Sequence, residues 1–319
     1  MLLALSLLRR RLAPDDCWPA GDPLLTARWL TLAGGERVRV VEGGDASAPL
    51  VLFLHGWGAS AYFYRMVLPE VVAAGRRVAA MDLRGHGWSD KPLDESRYTA
   101  EAMRDQVIAV LDQLQGVGVG VGVGVGGNGG RGGVDLVAHS LGGGVALDVA
   151  RQVPARVATL ALLAPVGLAP VRFVPLARLA TPVVAAPLVR FAVPPWTAPV
   201  ALRAVNGTLG GFALRDVDEY WAPTREAAFG GALRALLHRF RLEPRTDQEL
   251  AAITARVLVL LGGQDLLVRG AESAARAAGR PGWRARVYSR VGHVLAEEVP
   301  GVVVEELLEL WGGSRSRGE

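Results

Sequence analysis

Short, nearly continuous apolar runs recur along this chain and alternate with segments of helical character. Such runs, rich in Val and Leu, are typical of strands that are buried on both faces of a sheet. The predicted strands are residues 49–54, 77–82, 134–139, 156–163, 255–261 and 283–288. The predicted helices are residues 61–74, 100–114, 141–153, 271–278 and 295–311. Because strands and helices alternate, we expect an α/β fold with a mostly parallel, doubly wound sheet and right-handed crossovers.

The pattern before the first buried run is different. Apolar and polar residues largely alternate in residues 29–32 and 38–41, on either side of Gly34-Gly35. Alternation around a glycine turn predicts a β-hairpin, so we expect the sheet to begin with antiparallel strands. An N-terminal extension over residues 1–25 precedes this hairpin.

The regular alternation stops between residues 165 and 248. Prolines recur there, and residues 224–240 have a helical pattern that is weakened at Gly230-Gly231. A mostly helical cap, inserted after the strand at 156–163, is the simplest account. The core is then predicted to comprise residues 26–164 and 249–312, followed by a tail over residues 313–319.

A low-complexity segment over residues 116–133 lies between a predicted helix and the strand at 134–139. Gly and Val alternate through its first half, and most of the remainder is Gly. Glycine adds no side chain to a core and loses much conformational entropy on folding, which favours a loop expansion. Ligands bind at the carboxyl ends of strands in open α/β sheets. Since the segment precedes a strand, we expect it to carry no function.

Composition narrows the classes of function. The formal charge is +4, but nearly all basic residues are Arg, spread among Asp and Glu except at residues 9–11. No nucleic-acid-binding pattern accompanies them, so we expect no nucleic-acid partner. Cys17 is the only cysteine, which excludes an intramolecular disulfide and a metal site built on several cysteines. A single cysteine also fits the cytoplasm, which is the location we expect.

The first twelve residues join an apolar run to an arginine cluster. Residues 1–12 are too short to span a bilayer, which needs about 20 apolar residues. Their charges follow the apolar run, the reverse of the order in a secretory signal. Peripheral contact with a membrane surface, a docking helix and a simple terminal segment remain the alternatives.

A serine flanked by small residues follows the predicted strand at 134–139. In Ala138-His139-Ser140-Leu141-Gly142 the serine lies where a strand turns into a helix, which is the form of a nucleophile elbow. The sharp turn strains the backbone and exposes the central side chain, and small neighbours avoid a collision. Ser140 is therefore the candidate nucleophile, and a glycine-rich strand end without chemistry is the alternative.

A serine hydroxyl is a weak nucleophile near neutral pH and needs a base, usually histidine, that an acid orients. His293 follows the last predicted strand, and Asp265 follows the strand at 255–261. Both therefore fall at the edge of the sheet that Ser140 occupies. The other histidines are interpreted differently: His55 and His86 as structural residues in turns, His139 as pointing away from its neighbour Ser140, and His238 as solvated in the cap.

Several motifs, taken in order, resemble those of the α/β-hydrolase superfamily. They are His55-Gly56-Trp57-Gly58, the segment 82–90, the elbow, Gly262-Gly263-Gln264-Asp265, and Gly292-His293 followed by Glu298 and Pro300. The resemblance covers residues 25–311 and implies an eight-stranded sheet with an inserted helical cap. It departs from the family pattern at Ala138, which replaces a glycine, and at residues 116–133.

The resemblance implies a role for each site residue. Ser140 would be the nucleophile, His293 the general base and then the general acid, and Asp265 the group that orients His293. The backbone N–H groups of Trp57 and Leu141 would form the oxyanion hole. Tyr62 and Trp221 are candidates for the substrate pocket. No metal or organic cofactor is implied.

The expected activity is hydrolysis of a small, apolar carboxylic ester through an acyl-enzyme. A serine in place of an aspartate nucleophile argues against the haloalkane dehalogenase and epoxide hydrolase branches of the superfamily. Other uses of the same triad stay open: a lipase at a membrane surface, a C–C bond hydrolase, a cofactor-free haloperoxidase and an acyltransferase. A ligand-binding relative without catalysis is the alternative from another class.

Overall fold

The computed structural model describes residues 12–116, 133–181 and 196–312, and all its strands belong to one eight-stranded sheet. The strands are β1 (Leu25–Thr31), β2 (Arg37–Gly43), β3 (Leu50–Leu54), β4 (Arg77–Met81), β5 (Val134–His139), β6 (Val157–Leu163), β7 (Arg256–Gly262) and β8 (Trp283–Tyr288). Their order across the sheet is β1-β2-β4-β3-β5-β6-β7-β8. The pairs β1–β2 and β2–β4 are antiparallel and the other five are parallel, which confirms the predicted sheet and its antiparallel start.

Helices lie on both faces of this sheet. Those described are α1 (Leu68–Ala73), α2 (Ala100–Leu114), α3 (Leu141–Gln152), α4 (Val174–Ala180), α5 (Thr197–Val205), α6 (Leu214–Trp221), α7 (Phe229–Arg239), α8 (Asp247–Ala251), α9 (Gly270–Ala277), α10 (Leu295–Glu298) and α11 (Pro300–Leu310). Side chains of β3 alternate between two apolar layers: Leu52 and Leu54 pack with α2 and α3, whereas Val51 and Phe53 pack with α1 and α11. Burial on both faces explains the continuous apolar runs.

Two predicted helices are interrupted at a proline. The segment 61–74 forms a short 3-10 helix at Ala61–Tyr64 before α1, and the segment 295–311 is divided into α10 and α11. Pro69 and Pro300 each lie in the first turn of the following helix. Proline has no N–H and is tolerated in the first turn of a helix but not in its interior. The predictions of continuous helices were therefore wrong at these two points.

The chain between β6 and β7, residues 164–255, is called the β6–β7 insertion below. It contains helices α4 to α8. The helix predicted at 224–240 begins only at Phe229, after a 3-10 helix at Ala222–Arg225, and Gly230 does not end it. The boundaries proposed for a cap at residues 165 and 248 stay a prediction.

Some predictions fall wholly or largely outside the described residues. They concern residues 1–12, the Gly/Val-rich segment 116–133 and the tail at 313–319. The described residues that flank the Gly/Val-rich segment are Gly116, just beyond α2, and Gly133, directly before β5. Gly133 marks the amino end of β5, and Gly116 is two residues from Leu114, whose carbonyl accepts from Arg77 at the amino end of β4. Ser140, in contrast, follows the carboxyl end of β5. Within the described ranges, no helix combines the length and the apolar character that crossing a membrane requires.

Candidate active site

Ser140 lies at the turn between β5 and α3 in a strained backbone conformation. Its φ is 51° and its ψ is −117°, a region that residues with a side chain rarely adopt. Neighbouring strands hold this turn: the Ser140 N–H donates to the Leu163 carbonyl at 3.0 Å, and the Ser140 carbonyl accepts from Val166 N at 2.9 Å. The geometry is the nucleophile elbow that the sequence predicts.

Close backbone contacts explain the small residues around the elbow. A Cβ atom on Gly142 would lie 2.5 Å from the His55 carbonyl oxygen, and one on Gly143 would lie 2.6 Å from Cβ of Pro165. A Cβ atom on Gly56 would approach Cβ of Ser140 to 2.9 Å. Ala138 is fully buried in the apolar core, so its methyl group is accommodated there.

The three predicted catalytic side chains are in hydrogen-bond contact. His293 Nε2 lies 2.9 Å from Ser140 Oγ, and His293 Nδ1 lies 2.7 Å from Asp265 Oδ2. The other carboxylate oxygen of Asp265 accepts from the backbone N–H groups of Leu267 at 2.7 Å and Val268 at 3.0 Å. In this arrangement His293 Nδ1 can donate to Asp265 while Nε2 accepts from the Ser140 hydroxyl. All three side chains are buried.

His139 is hydrogen-bonded to the backbone of the candidate base, His293. Its Nε2 donates to the His293 carbonyl at 2.9 Å, and its ring stacks on Phe63 with 4.2 Å between the centroids. Complete burial keeps the pKa of His139 well below its usual range, so the ring is neutral. The centroids of the His139 and His293 rings are 4.7 Å apart, and that the His139 side chain points away from Ser140 stays a prediction. Its contact with His293 was missed, because a histidine at a strand end has no signature of such a partner.

The two predicted oxyanion-hole donors flank Ser140. Leu141 is the first residue of α3, and Trp57 follows Gly56 in the turn after β3. Neither backbone N–H has a hydrogen-bond acceptor among residues 12–116, 133–181 and 196–312, so both remain available to a ligand. The indole of Trp57 is half-exposed and donates to the Leu233 carbonyl of α7 at 3.1 Å.

The loop after β4 has a structural role, as expected. Asp82 is fully buried, and its carboxylate accepts from Ala61 N at 2.7 Å and Trp88 N at 2.9 Å. His55 donates to the Gly56 carbonyl and accepts from Leu83 N. Burial lowers the pKa of His55, so this ring is also neutral. These bonds fix the turn that carries Trp57.

The proposed pocket residues have partners of their own. Tyr62 is buried and donates its hydroxyl hydrogen to Asp216 Oδ1 at 2.8 Å. Trp221 is partly buried, with the guanidinium of Arg225 5.0 Å from its ring centre. Contact of either residue with substrate stays a prediction. His238 is not solvated as predicted, since it is partly buried and its Nε2 lies 3.0 Å from the Thr181 carbonyl.

A narrow crevice beside the oxyanion turn leaves no room for a water molecule between its walls. The residues that line it are Gly58, Ala59, Ser60, Gly87, Glu219, Tyr220, Pro223 and Phe229. A larger hollow, which Ser140 does not line, lies beside the buried ion pair between Arg84 and Glu36, and Gln106 also donates to Glu36 there. Among the described residues, no group of three or more His, Cys, Asp or Glu side chains is arranged to hold a metal ion.

Comparison with known proteins identifies the family. Residues 51–306 match the model of the alpha/beta hydrolase family. The chain belongs to this family. The resemblance drawn from the motifs is therefore confirmed, and with it a hydrolase of this fold.

Individual relatives span several activities. The chain is 38% identical over 136 residues to the dihydrolipoyllysine-residue acetyltransferase component of an acetoin cleaving system from Pseudomonas putida, covering 42% of this chain and 32% of that protein. It is 33% identical over 138 residues to a 2-hydroxymuconate semialdehyde hydrolase from Pseudomonas sp. strain CF600, covering 43% of each chain. The chain thus spans less than half the length of these curated relatives.

One solved structure of another protein superposes on nearly the whole of this chain. The carboxylesterase CesB of Bacillus subtilis superposes with a TM-score of 0.72 over 94% of this chain and 95% of its own, at 19% sequence identity. At this identity the likeness is one of fold.

Proposed function

We propose that this α/β-hydrolase cleaves carboxylic esters with Ser140 as nucleophile, His293 as base and acid, and Asp265 as the orienting group. The observation that carries the proposal is the unbroken series of contacts from Asp265 through His293 to Ser140, at 2.7 and 2.9 Å. A strained elbow that presents the hydroxyl supports it.

In the first half of the proposed reaction, His293 Nε2 takes the hydroxyl proton as Ser140 Oγ attacks the ester carbonyl carbon. The carbonyl oxygen becomes an oxyanion and is stabilised by the N–H groups of Trp57 and Leu141. Loss of one such donor typically lowers turnover by about 10²–10³. His293 then protonates the leaving alkoxide, which departs as the alcohol and leaves the acyl group on Ser140.

In the second half, a water molecule gives a proton to His293 and attacks the acyl carbon. The tetrahedral intermediate collapses, the carboxylic acid departs, and the proton returns to Ser140 Oγ. Asp265 accepts the hydrogen bond of His293 Nδ1 and stabilises the imidazolium that forms in each half. No group beyond these residues and water is needed to balance the reaction.

A small, apolar ester is the substrate class that we propose. Ala59, Pro223 and Phe229 supply apolar surface beside the oxyanion turn, and the indole of Trp57 is half-exposed there. The fold neighbour CesB is a carboxylesterase, which agrees with this choice. We propose no nucleic-acid partner.

The test combines a covalent probe with a substrate series. A fluorophosphonate should label the wild-type protein, and labelling should disappear in Ser140→Ala and His293→Ala. p-Nitrophenyl esters of increasing acyl length should be hydrolysed by the wild type only. Absence of both labelling and turnover would overturn catalysis and favour a ligand-binding protein. Labelling without turnover of any ester would instead point to another reaction of the same serine, such as C–C bond hydrolysis.

A further inference from the structure

The loop that carries His293 is paired with the segment by which the chain leaves α5. The His293 N–H donates to the Val205 carbonyl at 2.8 Å, and Thr208 N donates to the Arg290 carbonyl at 3.1 Å. These two bonds run between antiparallel segments. The β6–β7 insertion therefore contacts the backbone of the candidate base directly.

Glu298 joins the same two segments a second time. One carboxylate oxygen accepts from Gly292 N at 2.8 Å, and the other accepts from Gly207 N at 2.8 Å. The first of these N–H groups belongs to the residue before His293, and the second belongs to the β6–β7 insertion. Hydrogen bonds to a charged acceptor are about twice as strong as neutral ones. The side chain of Glu298 thus holds together the two backbone segments, 205–208 and 290–293.

The two backbones touch where Glu298 bridges them. A Cβ atom on Gly207 would lie 2.5 Å from Gly292 N, and one on Gly292 would lie 2.4 Å from Gly207 N. Real Cβ atoms do not approach backbone nitrogen so closely, and neither neighbour is a flexible side chain that could move aside. The contact therefore requires glycine on both sides.

On its other side the His293 loop is held by the elbow strand. His139, the last residue of β5, donates to the His293 carbonyl at 2.9 Å. The backbone N–H and carbonyl of His293 are thus fixed from opposite directions, the first by the β6–β7 insertion and the second by the strand that ends at Ser140.

We propose that Glu298 and the segment 205–208 are positioning residues for His293, which hold its Nε2 within reach of Ser140 Oγ. This inference rests on the proposed function. A displacement of about 1 Å in a catalytic group can lower the rate by about 10²-fold. The β6–β7 insertion thus affects the rate of the chemical step through the position of His293.

Two alanine variants in the loop between α5 and α6 provide a matched test. Gly207→Ala introduces the collision with Gly292, whereas Gly211→Ala meets no atom within 4 Å and serves as the control. For hydrolysis of a short p-nitrophenyl ester we expect Gly207→Ala to lower kcat by about 10- to 100-fold with little change in KM. Gly211→Ala should match the wild type. A Gly207→Ala variant with wild-type kcat, or with only KM raised, would overturn the inference.

A second variant decides the case if Gly207→Ala does not fold. In Glu298→Gln the amide NH₂ group faces one of the two backbone N–H groups, so one hydrogen bond is lost while the side-chain volume is kept. The control is Glu249→Gln. Glu249 lies on α8, and its carboxylate also accepts a hydrogen bond from a backbone N–H group, that of Thr246. We expect kcat and the rate of fluorophosphonate labelling to fall in parallel, by about 10-fold or more, in Glu298→Gln alone.

A spectroscopic measurement separates positioning from general loss of stability. The proton shared by His293 and Asp265 should give a low-field NMR signal that is absent in His293→Ala. This signal should shift or broaden in Glu298→Gln at temperatures where the variant is fully folded, and it should stay unchanged in Glu249→Gln. An unchanged signal together with unchanged labelling would contradict a positioning role. If the wild type itself is not labelled, the proposed function fails instead.

Discussion

At the level of single residues, the backbone of Ser140 is strained. Ser140 adopts a φ of 51°, which a residue with a Cβ atom occupies only when its surroundings impose it. The hydrogen bonds of its backbone to Leu163 and Val166 provide that constraint. The conformation exposes the hydroxyl to His293, so the strain is linked to the proposed chemistry.

The strain at Ser140 predicts a difference between two inactive variants. Glycine adopts positive φ freely, although it also loses more entropy on folding. We expect Ser140→Gly to be more stable than Ser140→Ala by about 1 kcal/mol, because only glycine relieves the strain. Chemical denaturation of the two proteins measures this difference. Equal stabilities of the two variants would contradict this prediction.

Among the elements, the β6–β7 insertion and α3 are joined by a buried ion pair. Arg245 donates to both carboxylate oxygens of Asp148, at 3.0 and 2.6 Å, and its side chain is only 1% exposed. Since α3 begins at Leu141, this pair connects the insertion to the helix that follows the proposed nucleophile. Breaking a buried pair leaves one charge without its partner.

We expect Arg245→Met to reduce the free energy of unfolding by about 3–5 kcal/mol, because the buried Asp148 would keep only Arg151, 4.0 Å away, as an ionic partner. The double variant Arg245→Met/Asp148→Leu should recover at least half of that loss, since both charges are then absent. Denaturant unfolding of the two single variants and the double variant measures the coupling. A double variant less stable than Arg245→Met would contradict this account.

Among the elements, the features that could be predicted from the sequence are those that leave a local pattern in it. Ser140, Asp265 and His293 were found because each follows its own strand, and parallel strands end at the same edge of a sheet. The breaks at Pro69 and Pro300 had a signal, the proline itself, that the helical pattern obscured. The pairing of His293 with Val205 had none, because it depends on backbone contact between segments far apart in the chain.

In the whole molecule, three buried histidines link stability to pH. Burial lowers the pKa of His55, His86 and His139, so all three are neutral in the folded state. Their pKa in the unfolded chain is about 6.5. Below that pH the unfolded chain binds protons that the folded chain does not, which favours unfolding.

The free energy of unfolding should therefore be highest above pH 7 and should fall as the pH decreases towards 5. Each histidine that stays neutral contributes a slope of up to about 1.4 kcal/mol per pH unit. Urea denaturation at several pH values tests this, and His55→Asn should have a shallower dependence than the wild type. A stability that does not change over this range would contradict it.

The Gly/Val-rich segment gives a prediction about the molecule as a whole. Deleting residues 117–124 roughly halves the segment between α2 and β5, and halving a loop changes its closure free energy by only about 0.6 kcal/mol. We expect a slightly more stable protein with unchanged kcat and KM. Loss of ester turnover in a folded variant would show that the segment has a role in the reaction.

The position of Gly116 and Gly133 has a practical consequence. They lie at the edge of the sheet where β4 and β5 begin, and Ser140 lies at the edge where β5 ends. A fluorescent label or a surface anchor inserted between them would therefore be joined to the protein at the edge opposite Ser140. Immobilisation through such an anchor should leave the edge that carries Ser140 free of the attachment point.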